Sequence, residues 1–503
     1  MEPPDEDIGH RPCLAAPMRN RPDNHLFYGN NLEVLRKEIA NESVDLIYLD
    51  PPFNSNATYN ILFRSPAGVG VDAQVAAFED TWRWDEAAER AYDEVMISGR
   101  TRVSDLLCAM RSFLRDSDTM AYLAMMAIRL IVLHDKLKPT GSMFLHCDPT
   151  ASHYLKLLLD AVFGPRRFRN EIVWCYTGPG SPNMRQFMRK HDIIFWFCKG
   201  DTWTFNADAV RVAHSPKTVE NYKQGLVGSG FSGADHVIHD KGKVPEDYWN
   251  FAIAPRGKEY LGYPTQKPLK LLERIIAAAS NEADVVLDPF CGCGTAIHAA
   301  QKLGRQWIGI DVTHLAISLI EKRMHDAFPD VAFTVEGTPK DLASAQDLAR
   351  RDKYQFQWWA VSMVDALPFG GKKKGADGGI DGIIYFNDLD PASETMMTQR
   401  AIVSVKGGLT ANVAMVESLA ATMDREKAPI GILVMNAKAT PEMRRRAAAV
   451  GVYRNGIDDD YPRLQILTLA DLFAGKRPRI PNVDRAAFKR AAREDGRRQD
   501  LLL

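Results

Sequence analysis

No apolar run in these 503 residues is long enough to cross a bilayer as a helix. The longest, from Met120 to Leu133, is interrupted by Arg129, which excludes a membrane-spanning reading. The opening Met1-Glu-Pro-Pro-Asp-Glu-Asp7 is acidic and has no apolar centre, so it does not read as a secretory signal. Cysteine is scarce: seven residues, an odd number without framework spacing, are expected in a reducing compartment. Cys291 and Cys293 stand too close for a zinc knuckle, and no histidine cluster completes a site. Neither sign of charge dominates, with 63 Lys and Arg against 64 Asp and Glu. That balance excludes a basic nucleic-acid coat, so any nucleic-acid role would rest on local patches. These absences together point to the cytoplasm.

The length suggests two to four domains, and 46% hydrophobic with 25% charged residues is ordinary globular composition. One stretch organises the rest: Val44-Asp-Leu-Ile-Tyr-Leu-Asp50-Pro51-Pro52-Phe53. Its apolar half reads as a short buried strand stopped by two prolines. Asp50 then lies at a strand's carboxyl end, where open α/β sheets place ligands. The prolines stiffen the turn and lack N–H groups, so it presents carbonyls. A carboxylate, the Pro51 carbonyl and the flat face of Phe53 suit a planar ring with an exocyclic NH2 group. Asp50 and Pro51 would each accept one N–H, steering the nitrogen toward an electrophile.

A second strand, Val285-Val-Leu-Asp288-Pro-Phe290, runs into the turn Cys291-Gly292-Cys293-Gly294-Thr295 and a helix. The glycines permit positive φ and close backbone approach, and the helix entry offers N–H groups to a carboxylate. Trp307-Ile-Gly-Ile-Asp311 follows as a strand ending in an acid that can hold ribose hydroxyls. Upstream, Gly262-Tyr-Pro-Thr265-Gln-Lys267-Pro begins an amphipathic helix.

Asp50-Pro51-Pro52-Phe53 resembles the DPPY/DPPF motif of DNA amino-methyltransferases, and the glycine turn resembles their S-adenosylmethionine pocket. The base motif precedes the cofactor motif, the order of the β group, which includes modification subunits of type III systems. The resemblance spans about 26–335. It implies a Rossmann-like α/β fold, with Asp50, Pro51, Pro52 and Phe53 as the catalytic set. It assigns Thr265, Lys267, Asp288, Phe290, Gly292, Gly294 and Asp311 to S-adenosylmethionine, with Thr265 and Lys267 closing over its methionine end. It further implies direct methyl transfer without a catalytic metal, to a base flipped from double-stranded DNA. Asp-Pro-Pro is the adenine-N6 form and Ser-Pro-Pro the commoner cytosine-N4 form, which favours adenine. C5 methylation would need a nucleophilic Pro-Cys turn, and the lone Pro12-Cys13 lies in the N-terminal tail. A homodimer or a restriction-subunit partner is compatible with the resemblance.

The tail is expected to be disordered over 1–25, with the methyltransferase domain over 26–340. The mixed segment after Phe53, to about Asp116, reads equally as a substrate-facing insertion or a structural flap. Thr119 to Lys138 reads as a helix stopped by Pro139-Thr-Gly141, with strands over 141–148, 171–176 and 192–198. His146 and Asp148 at a strand end read mainly as hydrogen-bonded structure. Arg185, Arg189 and Lys190 form a basic loop that could meet phosphates, and 200–255 falls where the family's target-recognition region does.

From Asp341 the pattern restarts, giving a second, smaller α/β domain over 341–480 and a basic tail over 481–503. Its run Gly378-Gly-Ile-Asp381-Gly, with Ser404-Val-Lys406 on a following strand, resembles the PD-(D/E)xK core of Mrr-like restriction domains. By that resemblance Asp381 would bind Mg2+, Lys406 would orient or activate the water, and Lys372 to Lys374 could meet phosphates. Ser404 stands where such nucleases carry Glu or Gln, and Gln355 and Gln357 where many carry Glu. This favours a nuclease-derived DNA-binding or regulatory domain over active cleavage. The alternatives to an adenine methyltransferase are a cytosine-N4 enzyme, a combined restriction–modification enzyme, and a catalytically idle DNA-binding protein.

Overall fold

The computed structural model describes 24–52, 83–178, 185–223, 238–254, 259–261, 263, 265–369, 379–389, 396–456 and 459–481, with the backbone alone of 58–62, 74–79 and 221–223. Phe53, Lys372 to Lys374, most of the N-terminal tail and the basic C-terminal tail lie outside the described residues.

Eleven strands belong to the first part of the chain: β1 (His25–Tyr28), β2 (Val44–Leu49), β3 (Thr58–Leu62), β4 (Gln74–Glu79), β5 (Leu137–Cys147), β6 (Phe168–Cys175), β7 (His191–Cys198), β8 (Tyr248–Asn250), β9 (Val285–Asp288), β10 (Gln306–Asp311) and β11 (Thr334–Glu336). Nine of them form one sheet in the order β11-β1-β10-β9-β2-β5-β7-β6-β8, while β3 and β4 pair separately. Its centre is parallel, and β7 is the strand that runs against its neighbours β5 and β6.

Both faces of the large sheet are covered, which is why its central strands are apolar at nearly every position. Ile47, Leu49, Met143, Leu145, Phe195 and Leu287 point into one core. That core is closed by α1 (Asn31–Lys37), α2 (Glu86–Ile97), α3 (Thr101–Leu114), α4 (Asp118–Lys136) and α5 (Ser152–Phe163). Leu46, Tyr48, Phe144, Ile194, Trp196 and Val286 alternate onto the other face. There, beyond the short α6 (Pro216–Lys223), they meet α7 (Leu269–Ala279), α8 (Thr295–Lys302) and α9 (His314–Ala327). This is a Rossmann-like α/β sandwich.

Three expectations need adjustment. Asn24 and His25 belong to the fold, not the tail: the Asn24 side chain accepts from the Trp307 N–H, and His25 opens β1. Pro139-Thr-Gly141 does not separate helix from strand. α4 ends at Lys136, β5 begins at once, and the Pro–Gly segment is absorbed as an irregularity opposite β2 between Val44 and Leu46. In the segment after Phe53, α2 and α3 bury Val95, Val103, Leu107 and Met110 in the core, so this part is structural. Within 200–255, Asn206 is bound to the end of α7 through the Ala277 and Ser280 carbonyls, and β8 extends the sheet edge.

The second part begins with α10 (Leu342–Arg351) and α11 (Lys353–Ser362). It continues through β12 (Leu367–Pro368), β13 (Gly382–Leu389), β14 (Met396–Lys406), α12 (Val413–Arg425), β15 (Ile430–Met435), α13 (Pro441–Ala449), β16 (Val452–Arg454), β17 (Asp460–Pro462), β18 (Leu464–Thr468) and α14 (Leu469–Phe473). The sheet order β12-β13-β14-β15-β18 joins an antiparallel hairpin to a parallel trio. The two parts touch through α9 and α11: Tyr263, Cys293 and Leu315 share an apolar cluster with Trp358. The His314 N–H also donates to Gln355 Oε1 at 3.3 Å. No helix among the described residues is long and apolar enough to cross a membrane.

Candidate active site

β2 and β9 lie side by side, with Leu46 opposite Val286 and Ile47 opposite Leu287. From this pair the chain winds outward in both directions, so the ends of β2 and β9 form the switch-point crevice of an open α/β sheet. Asp50 leaves one strand and Asp288 ends the other, and a cavity of about 320 Å3 opens between them. Pro51, Pro52, Thr265, Lys267, Phe290, Gly292 and Asp311 line the same cavity, so nine of the eleven sequence-assigned residues meet there, Gly294 and the undescribed Phe53 being the exceptions.

The glycine turn is built by backbone chemistry. Gly292 and Gly294 have φ of +49° and +74°, and Gly294 is the N-cap of α8. A Cβ on Gly294 would stand 2.8 Å from the Ile320 side chain, so this glycine shapes the turn and does not line the cavity. Asp288 Oδ1 accepts from the Phe290 N–H at 3.0 Å, and burial pushes its carboxyl well above the usual range. Asp311 clamps the turn to β10. One oxygen accepts from the Gly292 N–H at 3.0 Å, and the other accepts from the Thr313 N–H at 2.9 Å and hydroxyl at 2.8 Å. A carboxylate accommodates about four donors, which leaves acceptor capacity for a ligand hydroxyl. Burial raises Asp311 to about 6.

Asp50 carries the sharpest signal. Its Oδ2 is ion-paired with Lys267, while its buried Oδ1 has no hydrogen-bond partner among the described residues. An unpaired buried carboxylate oxygen is costly unless a ligand supplies a donor. Lys267 is held by the segment before α7, where Gln266 is tied to Leu261 N–H and to the Glu259 carbonyl, each at 2.8 Å. The resemblance gave Lys267 to the cofactor; its ammonium reaches the Asp50 carboxylate and joins the two motifs.

Sequence reasoning missed three features. Tyr263, beside Gly292, and Thr313 line the cavity, although Thr313 follows the flagged Asp311 by only two residues. Arg129 was read only as an interruption of an apolar run. It is buried on the cavity wall, donating through Nε to Asn31 Oδ1 at 2.8 Å, while Asn31 Nδ2 donates to the Pro289 carbonyl at 2.9 Å. Burial lowers Arg129 to about 10. A lone charge within the apolar run from Met120 to Leu133 was the available signal. His146 is buried and paired as expected, and Asp148 accepts from Thr150 and Ala151 at the start of α5.

A family model for DNA methylases of the N6/N4 class matches residues 44–322, more than half of the chain and both motifs of this cavity. The chain belongs to the DNA methylase family. The type II methyltransferase M.BglII of Bacillus subtilis is 32% identical to it over 323 residues, 62% of this methylase and 71% of that protein. M.EcaI of Enterobacter cloacae is 26% identical over 357 residues, covering 60% and 69% of the two chains. The DNA adenine methyltransferase YhdJ of Escherichia coli strain K12 is 27% identical over 308 residues, covering 59% and 82%. A restriction endonuclease model matches residues 348–454 of the methylase, which places a nuclease-like domain behind the first.

In that domain Asp381 precedes β13 and Lys406 ends β14. One Asp381 oxygen accepts from Gln357 Nε2 at 2.7 Å; the other accepts from the Val405 N–H at 2.5 Å and the Ser404 hydroxyl at 3.3 Å. Gln355 is spent on His314 of the methylase part. No group of three or more His, Cys, Asp or Glu side chains suited to a metal occurs among the described residues. Among the described residues, Asp381, whose oxygens already take protein donors and which faces an amide that donates, does not make a site that fits Mg2+.

Proposed function

We propose that this methylase transfers a methyl group from S-adenosylmethionine to adenine N6 at a specific site in double-stranded DNA, in the cytoplasm. The observation that carries the reading is the unpaired Asp50 Oδ1, buried at the switch-point crevice beside the Asp311-clamped turn. Bound S-adenosylmethionine supplies an electrophilic methyl on a sulfonium. Asp311 would hold its ribose hydroxyls, while the Gly292 backbone gives it close approach. Asp50 and the Pro51 carbonyl would take the two N–H bonds of the amino group and aim its nitrogen lone pair. Holding the partners in line supplies much of the rate, and the base would leave the helical stack to reach the crevice. Asp-Pro-Pro, together with a relative named as an adenine methyltransferase, favours adenine over cytosine N4.

Expression in a host free of DNA methylation, followed by sequencing that separates N6-methyladenine from N4-methylcytosine, tests this directly. One modified motif with the mark on adenine is expected. A mark on cytosine would overturn the base assignment and keep the chemistry, whereas cofactor binding without any mark would overturn the DNA reading.

We assign methyl transfer to residues 24–340 and a nuclease-derived DNA-binding role to 341–480. Asp381, held by Gln357, Ser404 and Val405, supports the second assignment. Unmethylated supercoiled plasmid incubated with the protein and Mg2+ is expected to remain uncut. Cleavage that disappears in Asp381→Ala would establish a restriction–modification enzyme instead.

A further inference from the structure

A polar row crosses four neighbouring strands at the carboxyl end of the large sheet, buried at Tyr48 and His146 and half-buried at Asp192 and Tyr176. Tyr48 on β2 is hydrogen-bonded through its hydroxyl to His146 Nδ1 on β5 at 2.9 Å. His146 Nε2 lies 3.0 Å from Asp192 Oδ2 on β7. Asp192 Oδ1 accepts from the Tyr176 hydroxyl, just past β6, at 3.1 Å. Tyr48 and His146 are 2% and 0% exposed, so solvent does not hold this row in place. Beneath it the same face carries Leu46, Phe144 and Ile194, and the Trp174 ring stands edge-on to His146. Apolar side chains would fill these positions at lower cost than a chain of buried polar groups.

The partners fix the direction of each hydrogen bond. Burial works against ionisation of Asp192, but the hydrogen bonds from His146 and Tyr176, with the Lys267 charge, help hold the carboxyl below its usual range. An ionised Asp192 only accepts, so His146 Nε2 carries a proton and donates. In the tautomer that places the ring proton on Nε2, Nδ1 is an acceptor, and the Tyr48 O–H donates to it. Burial first, then the charges of Asp50 and Asp288, push the Tyr48 phenol well above its ordinary value and keep it protonated. Tyr48 also lines the cavity between those two carboxylates.

We propose that Tyr48 is a ligand-contacting residue whose oxygen accepts an N–H in the cavity, and that His146 and Asp192 are positioning residues that turn the phenolic proton away from it. The inference rests on the methyltransferase reading for the identity of the ligand. Two N–H sources share this chemistry: the ammonium of the cofactor's methionine and the exocyclic amino group of the base.

Tyr48→Phe removes one oxygen and keeps the ring, and its thermal unfolding midpoint, read beside that of the unchanged protein, checks that the fold holds. Its dissociation constant for S-adenosylmethionine without DNA, and its single-turnover methylation rate at saturating cofactor, separate the two sources. A loss of about tenfold, the size of one hydrogen bond to a charged group, is expected in one of the two. Weaker cofactor binding with an unchanged rate assigns the methionine ammonium, and unchanged binding with a slower rate assigns the base. Both quantities within twofold of the unchanged protein would overturn the proposal. His146→Phe is expected to reproduce the same split and to add nothing in a Tyr48→Phe background. A further loss there would show that His146 does not act through Tyr48. Absence of methylation by the unchanged protein would count against the methyltransferase reading, while the binding arm still decides Tyr48.

Discussion

Asp50→Ala is expected to slow methylation by about a thousandfold, the scale for removing a preorganised polar group from a reacting centre. Cofactor affinity should change only a few-fold, because the cofactor contacts assigned to Asp311 and the Gly292 turn are untouched. The loss has two parts. The buried Oδ1 that would take an amino N–H disappears, and Lys267 loses its ion-pair partner. Asp50→Asn separates them: it keeps an acceptor of the same shape but turns a carboxylate facing an ammonium into a neutral amide. It should fall between the unchanged protein and Asp50→Ala. Single-turnover transfer of labelled methyl to duplex DNA, with calorimetric cofactor binding, reads both quantities. Methylation by Asp50→Ala at the unchanged rate would remove Asp50 from the reaction.

The second large effect is on pH. Burial lifts the Asp311 carboxyl from 3.8 to about 6 in the free protein, despite the donors from Thr313 and Gly292. In the proposed site the ribose hydroxyls would donate to the ionised form, so the cofactor would have to find or create a deprotonated Asp311. Affinity should therefore be flat above about pH 6 and weaken by about tenfold per unit below it, with a proton released on binding. The stability of the free protein has the opposite dependence. Between the unfolded value and about 6 the folded state binds more protons than the unfolded chain, so this carboxyl's stabilising contribution is lost as pH rises through the window. Cofactor titrations from pH 5 to 8, repeated in buffers of different ionisation enthalpy, measure the slope and the released proton. Asp311→Asn should bind weakly at every pH and flatten the profile. A steep profile persisting in that variant would place the titration elsewhere.

Much of this site was legible because its chemistry is written in contiguous residues. A strand that ends in Asp50-Pro-Pro, and another that runs through Asp288 into two glycines, declare their turns locally. The Asp311 carboxylate could be assigned because it ends the next strand at the spacing that suits a ribose. What stayed hidden depends on strand order. Lys267 meets Asp50 only because the segment before α7 folds over the crevice. His146 gains partners on two different strands once β2, β5 and β7 are adjacent. Pro139 and Gly141 misled because a helix can pass straight into a strand when β2 tolerates the irregularity opposite. Gln355 was weighed as a missing metal ligand, and it serves as a contact with His314 across the two parts of the chain.

The adjacency of β2 and β9 also sets an order in time. Residue 50 leaves the ribosome long before residue 288, by roughly ten to fifty seconds at 5–20 residues per second. Throughout that interval the Leu46 and Ile47 edge of β2 lacks its native neighbour, a strand edge of the kind that recruits other chains. Pairings between segments so distant in sequence are intrinsically slow to form. The growing chain therefore passes through a vulnerable stage in which the Asp50 side of the crevice exists without the strand that completes it. Once β9 and β10 arrive, the crevice closes around Asp50, Asp288 and Asp311 while the nuclease-like sheet has yet to be synthesised. Synthesis thus completes the site for marking DNA before the domain that follows it.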